Sequence, residues 1–136
     1  MIIFDFNKTL YNPISKELFE GVKEILNLLK SDFILILISM NKEMRDKLAK
    51  NLIGEFFNEM VFTKEKTILN YESILKKYNI KNSDCTIIGD CLSDEILIGK
   101  QLFCKTIHIN PNKCKTFADF SIPHIKEIKT FINHQI

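Results

Sequence analysis

Short, unbroken apolar runs alternate along the chain with longer stretches in which apolar residues recur every three or four positions. The runs at 2–6, 33–38 and 85–88 are apolar at nearly every position. Such runs are typical of strands that are buried on both faces of a parallel sheet. Weaker runs at 59–62 and 106–109 complete a set of five predicted strands.

The stretches between these runs have helical periodicity. Residues 15–30 carry an apolar stripe at three- and four-residue spacing, formed by Leu18, Val22, Ile25, Leu26 and Leu29, which predicts an amphipathic helix. Further helices are predicted over 41–52, from a cap at Thr67 to about 78, over 93–102, and from Pro123 in a first turn to about 131.

Strands that alternate with helices predict right-handed crossovers and a mainly parallel sheet. The predicted fold class is α/β, a three-layer α/β/α sandwich with a mainly parallel, five-stranded, Rossmann-like sheet. We expect residues 1–136 to form a single domain. In such folds ligands bind beyond the carboxyl ends of the strands, so polar residues at those ends are the candidates for function.

The composition is that of a globular domain: 46% of the 136 residues are hydrophobic and 26% are charged. The longest apolar run, 33–38, is far shorter than the roughly 20 residues that cross a bilayer, so no membrane association is expected. No basic segment leads into an apolar leader at the N-terminus. These observations favour a cytoplasmic protein.

The net charge of +2 is spread among 19 basic and 17 acidic residues, and Arg45 is the only arginine. This distribution does not resemble the basic patch of a nucleic-acid-binding protein. The four cysteines lack a C-x-x-C pair, which argues against a zinc or redox motif and favours free thiols. The histidines, His108, His124 and His134, lie outside the candidate strand ends and are interpreted as surface or packing residues.

Four strand ends carry polar residues in a distinctive order. The segments are D-F-N-K-T-L at 5–10, S-M-N at 39–41, K-E-K-T at 64–67 and G-D-C-L-S-D at 89–94. Each has a simpler interpretation when it is taken singly. Asp5 and Asn7 could form a turn, Ser39 could cap the next helix, and Asp94 could favour a helix N-terminus.

Taken in order, these segments resemble the four motifs of the haloacid dehalogenase superfamily. Those motifs are D-x-D-x-T after the first strand, a Ser or Thr ending the second, a Lys, and G-D-x-x-x-D. The resemblance covers residues 2 to about 109. A response-regulator receiver domain is a poorer match, because the third predicted strand ends in V-F-T at 61–63 without the acceptor Asp.

The resemblance implies a Mg²⁺-dependent phosphatase that acts on a phosphomonoester through an aspartyl-phosphate. Asp5 would be the nucleophile. Catalytic roles are implied for Asp5, Asn7, Ser39 and Lys66. Substrate binding is implied for Thr9, Ser39, Asn41 and Lys66. Metal binding is implied for Asp5, Asn7, Asp90 and Asp94, because Mg²⁺ prefers hard oxygen ligands.

Two of these assignments are open at the level of sequence. Either Lys64 or Lys66 could supply the third motif, and Lys66 is preferred because it adjoins the predicted cap Thr67. Asp90 and Asp94 are both candidates for the main metal ligand. The contribution of Asn7 to the metal would come from its backbone carbonyl, which does not depend on the side chain.

Asn7 is the main departure from the family pattern, which places an acid–base Asp at this position. An amide cannot protonate a leaving group or activate water, and that assistance is typically worth ~10²–10⁴ in rate. Three explanations follow: a substrate with a good leaving group, a domain that binds phosphate without turnover, or an engineered Asp-to-Asn change. The alternative function is therefore a catalytically weakened phosphate-binding or interaction domain.

The resemblance also bears on partners. Family members often carry a cap domain between the first and third motifs, but segments 10–32 and 40–63 are short enough to be filled by the predicted helices and strand. The expected partner is a phosphorylated substrate, either a small molecule or a macromolecule. A homo-oligomer that covers the open site is a further expectation.

Overall fold

The computed structural model describes residues 1–135, with side chains described through residue 131. In chain order the helices and strands are β1 (Ile2–Phe4), β2 (Tyr11–Asn12), β3 (Glu17–Leu18), α1 (Val22–Leu29), β4 (Leu35–Met40), α2 (Glu43–Ile53), β5 (Glu59–Thr63), α3 (Ile68–Lys77), β6 (Thr86–Gly89), α4 (Leu97–Gln101), β7 (Lys105–Ile109), β8 (Phe120–Ile122) and α5 (Ile128–Gln135). Within the described range, no helix is both long and apolar enough to cross a membrane.

Six strands form one parallel sheet in the order β5-β4-β1-β6-β7-β8. The central strand β1 pairs with β4 on one side and β6 on the other, so that Ile3 lies beside Ile36 and Ile87. The chain runs outward from β1 through β4 and β5 and then returns to β6. This reversal of strand order opens a crevice at the carboxyl edge, which is where ligands bind in sheets of this kind.

Alternation along the strands divides the core between two faces of the sheet. Phe4 and Leu37 pack in a cluster with residues of α1, α2 and α5. Ile3 and Ile36 pack in a second cluster with residues of α3 and α4. Helices therefore cover both faces, and the predicted three-layer α/β/α class is confirmed.

The sheet has six strands and not the predicted five. The missed strand, β8, has only three residues, too few to show a periodic pattern. It is held at the edge by pairing with β7 and by Asp119, whose carboxylate accepts hydrogen bonds from the N–H and hydroxyl of Thr106 at 2.8 and 3.0 Å. Pro123 directly follows β8 and does not begin the last helix, which starts at Ile128.

The predicted helix over 15–30 is wrong in its first part. The side chain of Asn12 accepts a hydrogen bond from the N–H of Ile14 at 2.9 Å, and Lys16 has a positive φ of 59°. These features turn the chain into the β2–β3 hairpin. The helix α1 begins only after Gly21, whose φ of 81° suits glycine.

A substitution at Gly99 tests how tightly α4 packs on the sheet. A Cβ at this position would lie 2.5 Å from Cγ2 of Thr106 and 3.2 Å from Cδ1 of Ile87. We expect Gly99→Ala to lower the free energy of unfolding by about 1–3 kcal/mol, because overpacking forces neighbours to shift. Urea denaturation measures the change.

Gly54→Ala is the matched control, since a Cβ there meets nothing within 4 Å and the backbone of Gly54 is helical. It should be neutral or stabilise by ~0.4–1 kcal/mol through the unfolded state. Equal urea midpoints for the two variants would contradict the close packing at Gly99.

Candidate active site

The carboxyl edge of the sheet brings residues from four segments into one cleft with a volume of about 150 Å³. Asp5 follows β1, and its N–H donates to the carbonyl of Ile88 at 3.0 Å, which ties it to β6. Ser39 lies in β4, and Asp90 follows β6. The loop after β5 contributes Lys66 to the same cleft.

Lys66 lies at the centre of the charged contacts. Its Nζ donates to Oδ1 of Asp5 at 2.7 Å and to Oε1 of Glu95 at 3.4 Å. Burial by itself would lower the pKa of Lys66, but Asp5 and Glu95 together outweigh burial and raise it. The ammonium therefore stays charged although only 3% of the side chain is exposed. Lys64, the other candidate for this position, is exposed.

Three carboxylates converge beside this ammonium. Asp5, Asp90 and Glu95 each offer one oxygen, and these oxygens lie within 4.8 Å of one another. Burial, followed by the proximity of Asp5, raises the pKa of Asp90 to about 7. The same two causes raise the pKa of Glu95 to about 9. One lysine therefore does not balance the cluster, which favours either protons or a further cation.

Glu95 was not predicted from the sequence, whereas Asp94 was. A π-helical turn, Leu92–Ile96, follows β6 and directs Glu95 inward. Such turns are rare and occur often at functional sites. Asp94 lines the cleft, but its Oδ2 contacts Sγ of Cys91 at 3.5 Å and is not part of the carboxylate cluster. The signal for Glu95 in the sequence was its position directly after Asp94, the predicted metal ligand.

Gly89 makes room for Glu95. A Cβ on Gly89 would lie 2.4 Å from Cγ of Glu95 and 2.6 Å from its Oε1. The glycine is required here by this close approach, because its φ is not in the left-handed region. In the G-D pair of the fourth motif, Gly89 thus leaves space for Glu95, and Asp90 contributes a carboxylate to the cluster.

Two residues predicted to bind substrate lie elsewhere. Thr9 is fully buried, and its hydroxyl lies 3.4 Å from Oδ2 of Asp5 and 3.5 Å from Oδ1 of Asp90. Its hydroxyl contacts these two carboxylates, but Thr9 does not line the cleft. Asn41 is exposed, its N–H donates to the carbonyl of Thr63 at 2.7 Å, and it too lies outside the lining.

Asn7 does line the cleft, and its buried Oδ1 has no hydrogen-bond partner. The oxygens of Asp5, Asp90 and Glu95, which converge at the cleft that Asn7 also lines, form the kind of hard donor set that suits Mg²⁺. The residues present therefore fit the metal that the sequence resemblance implied. Of the three carboxylates in this cluster, Asp5 and Asp90 were predicted from the sequence as metal ligands, and Glu95 was not.

His108 supports the site from the neighbouring strand. It is buried at the end of β7, and its Nε2 donates to the backbone carbonyl of Asp90 at 3.1 Å. Burial lowers the pKa of His108, so the ring is neutral near pH 7 and serves in packing and positioning. The side chain of His134 lies outside the described residues.

The proposed crossing of Glu95 over Gly89 can be tested by a double-mutant cycle. Gly89→Ala should destabilise the fold by roughly 1–3 kcal/mol through the steric conflict. Glu95→Ala removes the conflicting atoms, so the double variant should be at least about 1 kcal/mol more stable than the sum of the single changes implies. Urea midpoints at constant pH measure this coupling. Strictly additive effects would show that Glu95 does not occupy this space.

Comparison of the sequence with protein-family models and with curated proteins gives no match. Solved structures do match. A HAD hydrolase from Bacillus subtilis, described as bound to magnesium, superimposes with a TM-score of 0.76 at 18% identity over 86% of this chain. A HAD phosphatase from Thermococcus onnurineus gives 0.74 at 16% identity over 85% of this chain.

The chain spans only 56% and 58% of the lengths of those two proteins. An uncharacterized protein from Listeria monocytogenes serotype 4b matches end to end, with 97% of each chain covered, a TM-score of 0.70 and 16% identity. At these identities the likeness establishes the fold. The chain therefore has the fold of the haloacid dehalogenase superfamily, as its four motifs indicated.

Proposed function

We propose that the chain is a Mg²⁺-dependent, phosphatase-like hydrolase that acts on a phosphomonoester through an aspartyl-phosphate. The observation that carries the proposal is the buried pairing of Asp5 with Lys66 at 2.7 Å inside a cleft shared with Asp90 and Glu95. A carboxylate held beside an ammonium and other oxygen ligands suits phosphoryl transfer.

The two oxygens of Asp5 have different partners. Lys66 donates to Oδ1 at 2.7 Å, while the hydroxyl of Thr9 lies 3.4 Å from Oδ2. The oxygen that is not paired with the ammonium is the better nucleophile. In the proposed step it forms a bond to phosphorus as the bond between phosphorus and the leaving oxygen breaks, and the electron pair of that bond goes to the leaving oxygen.

The other residues of the cleft have electrostatic roles in this proposal. Lys66 neutralises charge that develops on the phosphoryl oxygens, and Ser39 donates a hydrogen bond to one of them. Asp5, Asp90, Glu95 and an Asn7 carbonyl would hold Mg²⁺. When bound, the metal would offset the repulsion between the carboxylates and an incoming phosphate.

Asn7 makes the second half of the reaction slow. Its amide can neither protonate a leaving alkoxide nor deprotonate the water that hydrolyses the intermediate. The first half-reaction can still proceed when the leaving group is good. A second function, a phosphate-binding or interaction domain, is favoured by this same residue, and the two functions differ in whether Asp5 becomes phosphorylated.

Phosphorylation of Asp5 is therefore the decisive measurement. With acetyl phosphate and Mg²⁺, we expect an adduct of one phosphoryl group in the intact mass after an acid quench. The adduct should be absent in Asp5→Asn. In Asn7→Asp it should decay faster by ~10²–10⁴, because a general base is restored.

Two results would overturn parts of this proposal. An adduct that persists in Asp5→Asn would show that another residue is the nucleophile. If no activated donor gives an adduct while inorganic phosphate still binds, the chain is a binding domain on a phosphatase fold. Asp32→Asn is a matched control, because Asp32 is exposed and lies outside the cleft.

The carboxylate cluster also predicts how stability depends on pH. The folded pKa values of Asp90 and Glu95, about 7 and about 9, lie above their ordinary values of 3.8 and 4.5. Between roughly pH 4 and 9 these two groups therefore bind more protons in the folded chain than in the unfolded chain, so their contribution to stability without metal falls as pH rises. Mg²⁺ competes with those protons and should stabilise most at high pH.

Thermal melts at pH 5.5, 7 and 8.5, with and without Mg²⁺, measure this effect. Asp90→Asn should flatten the pH dependence and weaken the stabilisation by Mg²⁺, whereas Asp32→Asn, at an exposed position outside the cleft, should change neither. A pH dependence that is unchanged in Asp90→Asn would contradict the proposed electrostatics. So would a metal effect that is equal at all three pH values.

A further inference from the structure

Arg45, the only arginine of the chain, lines the candidate active-site cleft. It lies in the first turn of α2, immediately after the strand that carries Ser39. Its Nη2 is 3.5 Å from the carbonyl of Met40, at the outer limit of a hydrogen bond. Its Nε is buried and has no hydrogen-bond partner. The side chain was not among the residues predicted from the sequence.

The hydrogen-bonding capacity of Arg45 is therefore largely unused. Within residues 1–131 it forms no ion pair. A buried donor without an acceptor is costly, and such a group in a native protein calls for an explanation. The guanidinium presents a planar fork that matches carboxylate and phosphate oxygens.

Arg45 is not needed to balance the acids at the base of the cleft. That role belongs to Lys66, which contacts Asp5 and Glu95 directly. Lys8 is a second cation at the same cleft, and its side chain forms no ion pair within the described part of the chain.

The backbone of Lys8 has a φ of 64°, and its N–H donates to the carbonyl of Tyr11 at 2.7 Å. A backbone hydrogen bond thus stabilises the turn that carries this ammonium, and the side chain itself is exposed. One cleft thus contains two sets of cationic groups. Lys66 is committed to carboxylates, while Arg45 and Lys8 remain available to a ligand.

We propose that Arg45 and Lys8 form a subsite for a second anionic group, so that the substrate is a phosphomonoester that also carries a carboxylate or a further phosphate. This inference rests on the proposed function and narrows its substrate class. The reacting phosphoryl group would lie against Asp5 and Lys66. The second anion would accept hydrogen bonds from the fork of Arg45.

Paired phosphonates test the subsite without requiring turnover. Phosphonopropionate and propylphosphonate share a head group and chain length, and they differ in a terminal carboxylate against a methyl group. Isothermal titration of the full chain with Mg²⁺ should show about tenfold tighter binding of phosphonopropionate, as a charge-assisted contact at a partly exposed site implies. Ethylenediphosphonate tests a second phosphate in the same way.

Variants of Arg45 test whether this residue causes the preference for phosphonopropionate over propylphosphonate. Arg45→Gln should bring the affinities of the paired probes to within about twofold, and Arg45→Lys should leave an intermediate preference, because it keeps the charge and loses the fork. Lys47→Gln is the matched control, since it removes the same charge from an exposed position on α2 outside the cleft. It should retain the full preference. Thermal melts establish that each variant is folded.

The outcomes separate this inference from the proposed function. If the two probes bind the wild-type chain equally, the subsite is overturned while the phosphoryl site stands. If Arg45→Gln weakens both probes by the same factor, Arg45 contacts the reacting phosphoryl group and the subsite is again overturned. If no phosphonate binds in the presence of Mg²⁺, the proposed function itself fails.

Discussion

The site depends on one electrostatic constraint, the burial of an ammonium among carboxylates. Lys66 lies 2.7 Å from Asp5 and 3.4 Å from Glu95, with all three side chains largely removed from water. Breaking a buried pair by removing one partner is strongly destabilising, because it leaves an uncompensated charge. The loop after β5, the end of β1 and the turn after β6 must therefore keep their relative positions. One lysine does not offset the charge of the whole cluster, which is why a metal fits there.

Backbone geometry makes that burial feasible. The central strand β1 lies at the point where strand order reverses, so the segments after β1 and β6 meet at one edge of the sheet. A π-helical turn directs Glu95 across Gly89, where any Cβ would collide with it. Glycine is suited to this position because it has no Cβ, and not because the backbone has a positive φ. The cleft that results is small, and it is also lined by Arg45 and Lys8, which form no ion pair within residues 1–131.

Asn7 separates binding from turnover in this arrangement. Asn7 lines the cleft, and its buried Oδ1 has no hydrogen-bond partner; in the proposed function this position keeps an oxygen ligand for the metal. The amide lacks only the proton-transfer function of a carboxylate. In the proposed function, such a site suits capture of a phosphoryl group by Asp5 more than its rapid release to water. The carboxylates and Lys66 would supply the electrostatic part of that chemistry, and Asn7 would not supply the acid–base part.

The sequence by itself determined the class of fold and most of the strand-end chemistry, because both depend on local patterns. Buried strands and amphipathic helices are recognisable from their periodicity. Asp5, Lys66 and Asp90 follow strands, and Ser39 is the last residue but one of β4, so all four lie at one edge of the sheet. The hairpin at 11–18 is formed by local hydrogen bonds and short strands, which the helix-like apolar spacing over 15–30 does not show. Only the tertiary structure decided the edge strand β8, the inward position of Glu95 and the presence of Arg45 in the cleft. These features depend on contacts between different segments of the chain or on a single residue of helical register, and neither changes the local apolar spacing.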